Sequence, residues 1–171
     1  GTVGLWHLDG VPPQTGIYDE AAGDSIGYFV GSGVAWDTTQ SRFGNGSLYF
    51  DTGADWVRIH DTTRYDFAGR PFTSESWFRL QDKPGADAYF TLWRKGWSDS
   101  TQYEIVYQDT NAADAGLLAH VYTSDNQVLA LRIPDSLIHL RSWMHTALSW
   151  NRNQFYFYLN GVAVDSLSFS G

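Results

Sequence analysis

The stretch FTSESWFRL, residues 72–80, decides the fold class of this chain. Side chains of a β-strand alternate between two faces, so residues two apart share a face. The large apolar side chains of this stretch fall on even positions, whereas an acid, an indole and a guanidinium fall on odd positions. We therefore expect the even positions to enter a core. The odd positions form either a ligand platform or a polar layer of ordinary packing: Glu75, Trp77 and Arg79.

The composition limits the classes of partner that fit the chain. Its 171 residues are enough to bury one substantial core, and 16% aromatic residues is not a disordered composition. The net charge of −8, with 11 scattered basic residues, argues against nucleic-acid binding, which needs clustered Lys and Arg. No apolar run approaches the roughly 20 residues of a membrane-spanning helix, so no membrane partner is expected. The absence of Cys excludes disulfides and thiolate metal sites.

Short apolar or alternating runs, separated by Gly, Asp, Asn and Ser, predict an all-β chain. The predicted strands are 4–8, 47–50, 56–60, 72–80, 89–94, 103–108, 116–122, 128–133, 144–150, 154–159 and 162–167. Residues 9–37 are predicted to be mainly loop, because they contain a Pro pair and several Gly. Asn160-Gly161 predicts a two-residue hairpin turn, since both residues tolerate positive φ. We expect one domain, residues 1–171, folded as an antiparallel two-sheet β-sandwich.

Six motifs in order along the chain resemble one fold family: GLWHLD at 4–9, FGNGSLYFD at 43–51, DWVRI at 55–59, FTSESW at 72–77, WMHTALSW at 143–150 and YLNGV at 158–162. Together they are similar to the laminin-G-like jelly rolls of the concanavalin A-like lectin/glucanase superfamily. The resemblance implies two packed antiparallel sheets in exterior proteins that bind glycans or proteins. It does not identify the ligand, because one fold hosts many functions.

Calcium is the cofactor that the resemblance implies. This ion takes oxygen ligands from carboxylates and carbonyls, and Asp9 and Asp51 end two of the matching motifs. Further candidates are Asp55, Asp99 and Asp165. The alternative for each is an ordinary turn, because Asp side chains hydrogen-bond the backbone of turns.

The C-terminus departs from the family pattern. Domains of this kind have a closing strand after the Asn-Gly hairpin, and that strand often carries an acidic calcium ligand. Here SLSFSG at 166–171 takes its place, so we expect the last strand to be missing. An unpaired sheet edge invites another chain, which predicts that this domain is part of a larger assembly.

No catalytic pattern is present, so we expect the chain not to be an enzyme. Glucanases of this superfamily carry a Glu-x-Asp-x-x-Glu strand, and a retaining pair of carboxylates lies about 5–5.5 Å apart. The chain has only Glu20, Glu75 and Glu104, none in that spacing, although the last two could be neighbours across strands. The five His show no spacing typical of a zinc site.

A ligand site is predicted where three strands would share one outer face. If strands 144–150 and 154–159 lie beside strand 72–80, the residues collected there are Glu75, Trp77, Arg79, His145, Tyr156 and Tyr158. Aromatic planes stack on sugar rings, and charged side chains bind hydroxyl groups. Trp97, in a Gly/Ser/Asp loop, is a separate candidate, either as an exposed anchor or as a lid on the core. The alternative for the shared face is packing under a loop or a partner domain.

The predicted function is therefore a non-catalytic module for glycan binding or adhesion, outside the cell or on a virion surface, with a carbohydrate or protein partner. A purely structural or protein-interaction domain of a viral or bacterial surface assembly is the alternative. A glucanase-like hydrolase is the third reading, and it requires two adjacent carboxylates in a groove.

Overall fold

The computed structural model describes residues 2–10, 16–51, 53–60, 63–67, 69–85, 88–96, 102–108 and 115–169. The chain divides into two compact units, residues 1–66 and residues 67–171. Every strand pair described is antiparallel, which confirms the all-β prediction. Two further expectations stay predictions: that residues 1–171 form a single domain, and that this domain lacks its last strand.

The first unit contains strands where a loop was predicted, so the loop prediction for residues 9–37 is wrong. Its sheets have the strand orders β1-β2-β5 and β3-β4. The strands are β1 Gly16–Asp19, β2 Asp24–Val30, β3 Val34–Asp37, β4 Ser47–Phe50 and β5 Trp56–Ile59. The Gly residues that suggested a loop serve close packing instead. A Cβ on Gly27 would lie 2.7 Å from Cβ of Ile17, so Gly lets β1 and β2 approach.

The predicted strand at 4–8 is also wrong. Leu8 has a φ of 51°, which lies outside the extended region of a strand. The segment is instead held by the fully buried carboxylate of Asp19. Its Oδ1 accepts the backbone N–H of Leu5 at 2.9 Å and that of Ala21 at 2.9 Å. The N–H of Glu20 also donates to the carbonyl of Leu5 at 2.8 Å, so single bonds to residues 19 and 20, and not a continuous ladder, hold the segment.

The second unit is a two-sheet sandwich, as predicted. Its strands are β6 Phe72–Phe78, β7 Tyr89–Lys95, β8 Tyr103–Gln108, β9 Gly116–Tyr122, β10 Val128–Pro134, β11 Met144–Trp150, β12 Gln154–Leu159 and β13 Val162–Ser168. One sheet has the order β13-β12-β11-β6 and the other β10-β9-β8-β7. All eight agree with the predicted bounds to within two residues. One core joins the sheets, with Tyr107 and Leu117 facing Leu148 and Phe157 as fully buried residues.

Local sequence patterns explain these strands. Burial alternates along β6, with Glu75 and Trp77 exposed and their even-numbered neighbours half-buried, as the parity predicted. The hairpin between β12 and β13 turns at Asn160 and Gly161, with φ of 49° and 81°, as expected of a type I′ turn.

A side chain links the edges of the two sheets. Asp165 of β13 accepts the backbone N–H of Arg132 of β10 through Oδ2 at 2.8 Å. Both strands are at the end of their sheets in the described part of the chain. The bond satisfies an edge N–H group and blocks that position to further strand pairing.

Candidate functional site

The strand pairing brings most of the predicted ligand residues onto one surface. β11 lies between β6 and β12, so Ala147 is opposite Glu75 on one side and Tyr158 on the other. His145 is opposite Trp77 in the next row. We call this surface the Trp77 face. Its side chains point away from the core: Thr73, Glu75, Trp77, His145, Ala147, Ser149, Gln154, Tyr156 and Tyr158.

At the centre of the Trp77 face, the imidazole of His145 lies between the indole of Trp77 and the carboxylate of Glu75 and contacts both. The rings of Trp77 and His145 have centroids 5.2 Å apart and are tilted by 49°. Nε2 of His145 lies 3.5 Å from Oε2 of Glu75, whose side chain is 65% exposed. The indole is 38% exposed. Because Glu75 is largely exposed, its contact with His145, whose side chain is 19% exposed, contributes little to stability.

The two tyrosines of the Trp77 face lie side by side, and hydrogen bonds hold Tyr156 in place. Their ring centroids are 6.1 Å apart. The hydroxyl of Tyr156 donates to Oε1 of Gln154 at 3.0 Å, and Nε2 of Gln154 donates to Oγ of Ser166 at 3.1 Å. This chain of bonds crosses from β12 to β13 and holds the ring of Tyr156 beside that of Tyr158.

Two predicted ligand residues are not part of this arrangement. Arg79 follows the end of β6, where Nε donates to the carbonyl of Arg141 at 3.1 Å and Nη1 to Oε1 of Gln81 at 2.9 Å. It therefore fixes a loop, and the charged or titratable side chain that lies nearest to Glu75 in the described part of the chain is His145. Trp97 and Asp99 lie outside the described residues.

Three of the predicted calcium ligands, Asp9, Asp51 and Asp55, lie in the first unit next to glycines, whereas Asp165 lies on β13 of the second unit. A Cβ on Gly44 would fall 2.2 Å from Oδ2 of Asp9, and one on Gly33 would fall 2.8 Å from Cβ of Asp51. Asp55 lies beside the same glycine as Asp51, and its Oδ1 accepts the N–H of Gly33 at 3.0 Å. Within the described residues, no three His, Asp or Glu side chains converge as a metal site would require. Calcium needs about 6–8 oxygens, so these side chains alone do not fit a complete calcium site.

A second polar cluster lies on the outer face of the other sheet, and sequence reasoning missed it. We call it the Glu104 cluster: Tyr89, Arg94, Glu104, His120 and Tyr122. Glu104 is 6% exposed. Its Oε2 lies 2.6 Å from both Nε and Nη2 of Arg94. Its Oε1 lies 3.1 Å from Nδ1 of His120 and 3.1 Å from the hydroxyl of Tyr122.

These contacts keep Glu104 ionised. The hydrogen bond from His120, the charge of Arg94 and the hydroxyl of Tyr122 hold the pKa of Glu104 below its ordinary value, although burial acts in the opposite direction. Burial and the charge of Glu104 raise the pKa of Tyr122. A lone Glu inside the apolar run of 103–107 was the available sequence signal, because Glu is almost never buried without partners.

The two central glutamates are not neighbours. Glu75 belongs to β6 and Glu104 to β8, in different sheets of the sandwich. Both side chains point away from the shared core, and packed sheets lie about 10 Å apart. The separation therefore exceeds the roughly 5–9.5 Å that a pair of glycosidase carboxylates spans.

Comparison with known proteins agrees with this architecture. A family model described as the concanavalin A-like lectin/glucanases superfamily matches residues 51–171, which include the whole sandwich. No curated protein matches the chain. In the part of the chain that the structure describes, no helix is long and apolar enough to cross a membrane. The match covers well over half of the sequence, so the chain belongs to the laminin-G-like group of the concanavalin A-like lectin/glucanase superfamily.

Proposed function

We propose that the chain is a non-catalytic carbohydrate-binding module of an extracellular or virion-surface protein. The observation that carries this proposal is the exposed indole of Trp77 beside the His145–Glu75 pair, with ring centroids 5.2 Å apart and an N–O distance of 3.5 Å. An aromatic plane stacks on the apolar face of a sugar ring, and a carboxylate accepts hydrogen bonds from the hydroxyl groups of the sugar. The paired strands hold these groups in a fixed arrangement before a ligand arrives, which lowers the entropy cost of binding.

The non-catalytic part of the proposal rests on the carboxylates. Glycoside hydrolysis uses two of them, one on each side of the scissile bond. Glu75 and Glu104 are on different sheets. A general acid also needs a raised pKa, whereas the pKa of Glu104 is lowered by His120 and Arg94 against the effect of burial.

Assembly into a larger structure is a further part of the proposal. β13 is an end strand of its sheet in the described part of the chain, and Val162 is 65% exposed there. A strand edge can pair with a second polypeptide, except where Asp165 already blocks it. We expect sedimentation of the isolated chain to show self-association. The substitution Val162→Lys should weaken it, because a charged side chain at a strand edge disfavours pairing with another chain. A monomer in both cases contradicts this part.

The same aromatic surface also favours a protein partner as the second candidate. Interfaces are enriched in Trp and Tyr, and the Trp77 face presents Trp77 on β6 and Tyr156 and Tyr158 on β12, with β11 between these strands. If the partner is a protein, that protein should bind the Trp77 face and should compete with any glycan that binds there.

A glycan array, run with calcium and with a chelator, tests the proposed function. We expect binding that falls roughly tenfold in Trp77→Ala, the loss of one aromatic contact. Phe90→Ala is the matched control, because Phe90 is 39% exposed and Trp77 is 38% exposed, and Phe90 belongs to the other sheet. Absence of binding to every glycan, or equal loss in both variants, would overturn the proposal.

A further inference from the structure

One turn of the first unit combines two features that the proposed binding face does not use. It reads FGNGS over residues 43–47, and Asn45-Gly46-Ser47 is the one Asn-x-Ser/Thr triplet of the chain. Such a triplet is the acceptor of an N-linked glycan in a chain that enters a secretory compartment. We propose that Asn45 carries an N-linked glycan and that Phe43 packs against its first sugar. The proposal rests on the exterior location given under the proposed function, but not on ligand binding by the Trp77 face.

The turn presents Asn45 to solvent on a well-placed backbone. Residues 41–45, in the segment between β3 and β4, are all exposed. The glycines on either side pack inward. A Cβ on Gly44 would lie 2.2 Å from Oδ2 of Asp9, and one on Gly46 would lie 3.0 Å from a backbone carbonyl oxygen. Close approach at both glycines therefore fixes the backbone on each side of Asn45.

The folded turn accommodates a glycan without losing a bond. Asn151 and Asn160 are also turn residues, but their Oδ1 atoms accept backbone N–H groups at 3.0 Å and 2.9 Å. In the described part of the chain, no hydrogen bond engages the side chain of Asn45. Ser47, the third residue of the triplet, closes the segment by donating from Oγ to the carbonyl of Gln40 at 2.8 Å. That bond does not involve the amide to which the sugar would be joined.

Phe43 is a second, independent indication of an attached sugar. Its side chain is 58% exposed, more than any other aromatic residue described, although the guanidinium Cζ of Arg42 lies 4.8 Å from the ring centroid. Because Phe43 precedes Asn45 by two residues in the same turn, the first sugar falls within reach of the ring. An aromatic ring packs against the C–H groups of a sugar. This contact would remove apolar surface of both groups from water.

Attachment is a substitution at the anomeric carbon of a sugar donor. The donor is an oligosaccharide joined through a diphosphate to a lipid, and an oligosaccharide transferase of the host catalyses the transfer. The amide nitrogen of Asn45 forms a bond to the anomeric carbon. The bond from that carbon to the diphosphate oxygen breaks, and the lipid diphosphate leaves with the electron pair. The amide gives one proton to a base of the transferase, and nothing is oxidised or reduced.

Production of the intact chain in animal cells, with a cleavable leader, tests the attachment. We expect one glycan. An amidase that releases N-linked glycans, used in isotopically heavy water, should leave heavy oxygen at Asn45 in the tryptic peptide 43–58. An untreated sample in the same water controls for loss of the amide without a glycan. Asn45→Gln and Ser47→Ala should abolish the glycan, and Ser47→Thr, which keeps the hydroxyl, should retain it.

Asn160→Gln is the matched control, because Asn160-Gly161 is the other Asn-Gly pair of the chain. Its glycan should be unchanged. The leader brings the chain into the secretory compartment whatever its natural location, so absence of a glycan counts against Asn45 and not against the location. A chain recovered with Asn45 unmodified, or a glycan that persists in Asn45→Gln, overturns the proposal.

Thermal melting tests the contact with Phe43. The glycan should raise the Tm of the chain above that of Asn45→Gln by roughly 2–4 °C, the effect of one aromatic contact in a chain of this size. The same comparison in a Phe43→Ala background should show no rise. Phe50→Ala is the control, because Phe50 is 45% exposed on β4, and its background should keep the rise. An equal rise without Phe43, or no rise in the wild type, overturns the contact.

The glycan array separates this proposal from the proposed function. A glycan found at Asn45, in a chain that binds nothing on the array, supports the attachment and counts only against the Trp77 face. Array binding that is lost in Trp77→Ala, by a chain that carries no glycan, overturns the attachment and leaves the proposed function intact.

Discussion

The two outer faces of the sandwich each present a glutamate with a histidine, but in opposite states. Glu75 is 65% exposed and lies 3.5 Å from a single histidine. Glu104 is 6% exposed and receives four hydrogen-bond contacts from three side chains. The first glutamate can change partners freely, because its solvation is largely intact. The second cannot, because a buried carboxylate without its donors would be strongly destabilising.

The comparison separates two ways of fixing polar side chains on a sheet face. On the Trp77 face the regular strands fix the side chains, and the contact between Glu75 and His145 contributes little to stability. In the Glu104 cluster a buried ion pair fixes them, so stability depends on these side chains themselves. Substitutions should therefore have small stability effects on the first face and large ones in the second.

The largest contrast is expected between Glu104→Gln and Glu75→Gln. Loss of one partner from a buried pair costs about 3–5 kcal/mol of unfolding free energy, because Arg94 keeps its charge without a counter-ion. Loss of an exposed pair costs about 0–1 kcal/mol. Urea unfolding of both variants measures the difference. Equal free energies of unfolding would mean that the cluster is not a buried network.

Acid should remove the contribution of Glu104 in a defined direction. Its folded-state pKa is below the ordinary 4.5, so its stabilising effect is complete above that value and is lost as the pH falls through the folded-state pKa. The free-energy difference between wild type and Glu104→Gln should thus shrink as the pH falls below about 5.

Other carboxylates titrate in the same range, so only the difference is informative. The Asp135 pKa is also lowered; burial opposes this shift, and Lys83 and Tyr107 produce it. Asp135 contributes equally to the unfolding free energies of wild type and variant, so its contribution cancels in their difference. A difference that stays constant down to pH about 3 would contradict the assigned role of Glu104.

The sequence was enough to predict the fold of the second unit and the residues of the Trp77 face. It was not enough to predict the Glu104 cluster, and the reason is physical. The strands of the second unit and the turn at Asn160-Gly161 follow local periods and local φ preferences, so they were found. β2 and β3 pair with β5 and β4, which come later in the chain, and a glycine permits the close packing of β1 and β2, so no local pattern predicts these three strands. The Trp77 face followed from parity on three strands, whereas the donors to Glu104 come from β7 and β9 in a register that no local pattern reveals.

Coupling energies should repeat the contrast on a smaller scale. A double-mutant cycle of Glu75 with His145 should give less than about 0.5 kcal/mol, as exposed pairs do. The cycle of Glu104 with Arg94 should exceed about 1.5 kcal/mol, because the pair is buried and both nitrogens face one oxygen. Two similar values would show that exposure does not distinguish the faces.

Calcium should have the smallest effect and should act on neither face. Each face contains one carboxylate among its named residues, too few for an ion that takes about 6–8 oxygens. We expect any stabilisation by calcium to come from the first unit, where Asp51 and Asp55 both lie beside Gly33. At a free concentration equal to its Kd, calcium would add about 0.4 kcal/mol, because it binds only the folded state.

Thermal melting in millimolar calcium and in a chelator measures this effect, with Asp9→Asn and Asp51→Asn as the variants. If either aspartate is a ligand, its substitution should abolish the calcium-dependent shift in Tm. Glu75→Gln is the matched control for loss of one exposed negative charge, and its shift should equal that of the wild type. A shift that survives both Asn variants but disappears in Glu75→Gln would move the cation to the Trp77 face and break the comparison. Identical melting curves with calcium and with chelator would remove calcium as a cofactor of this chain.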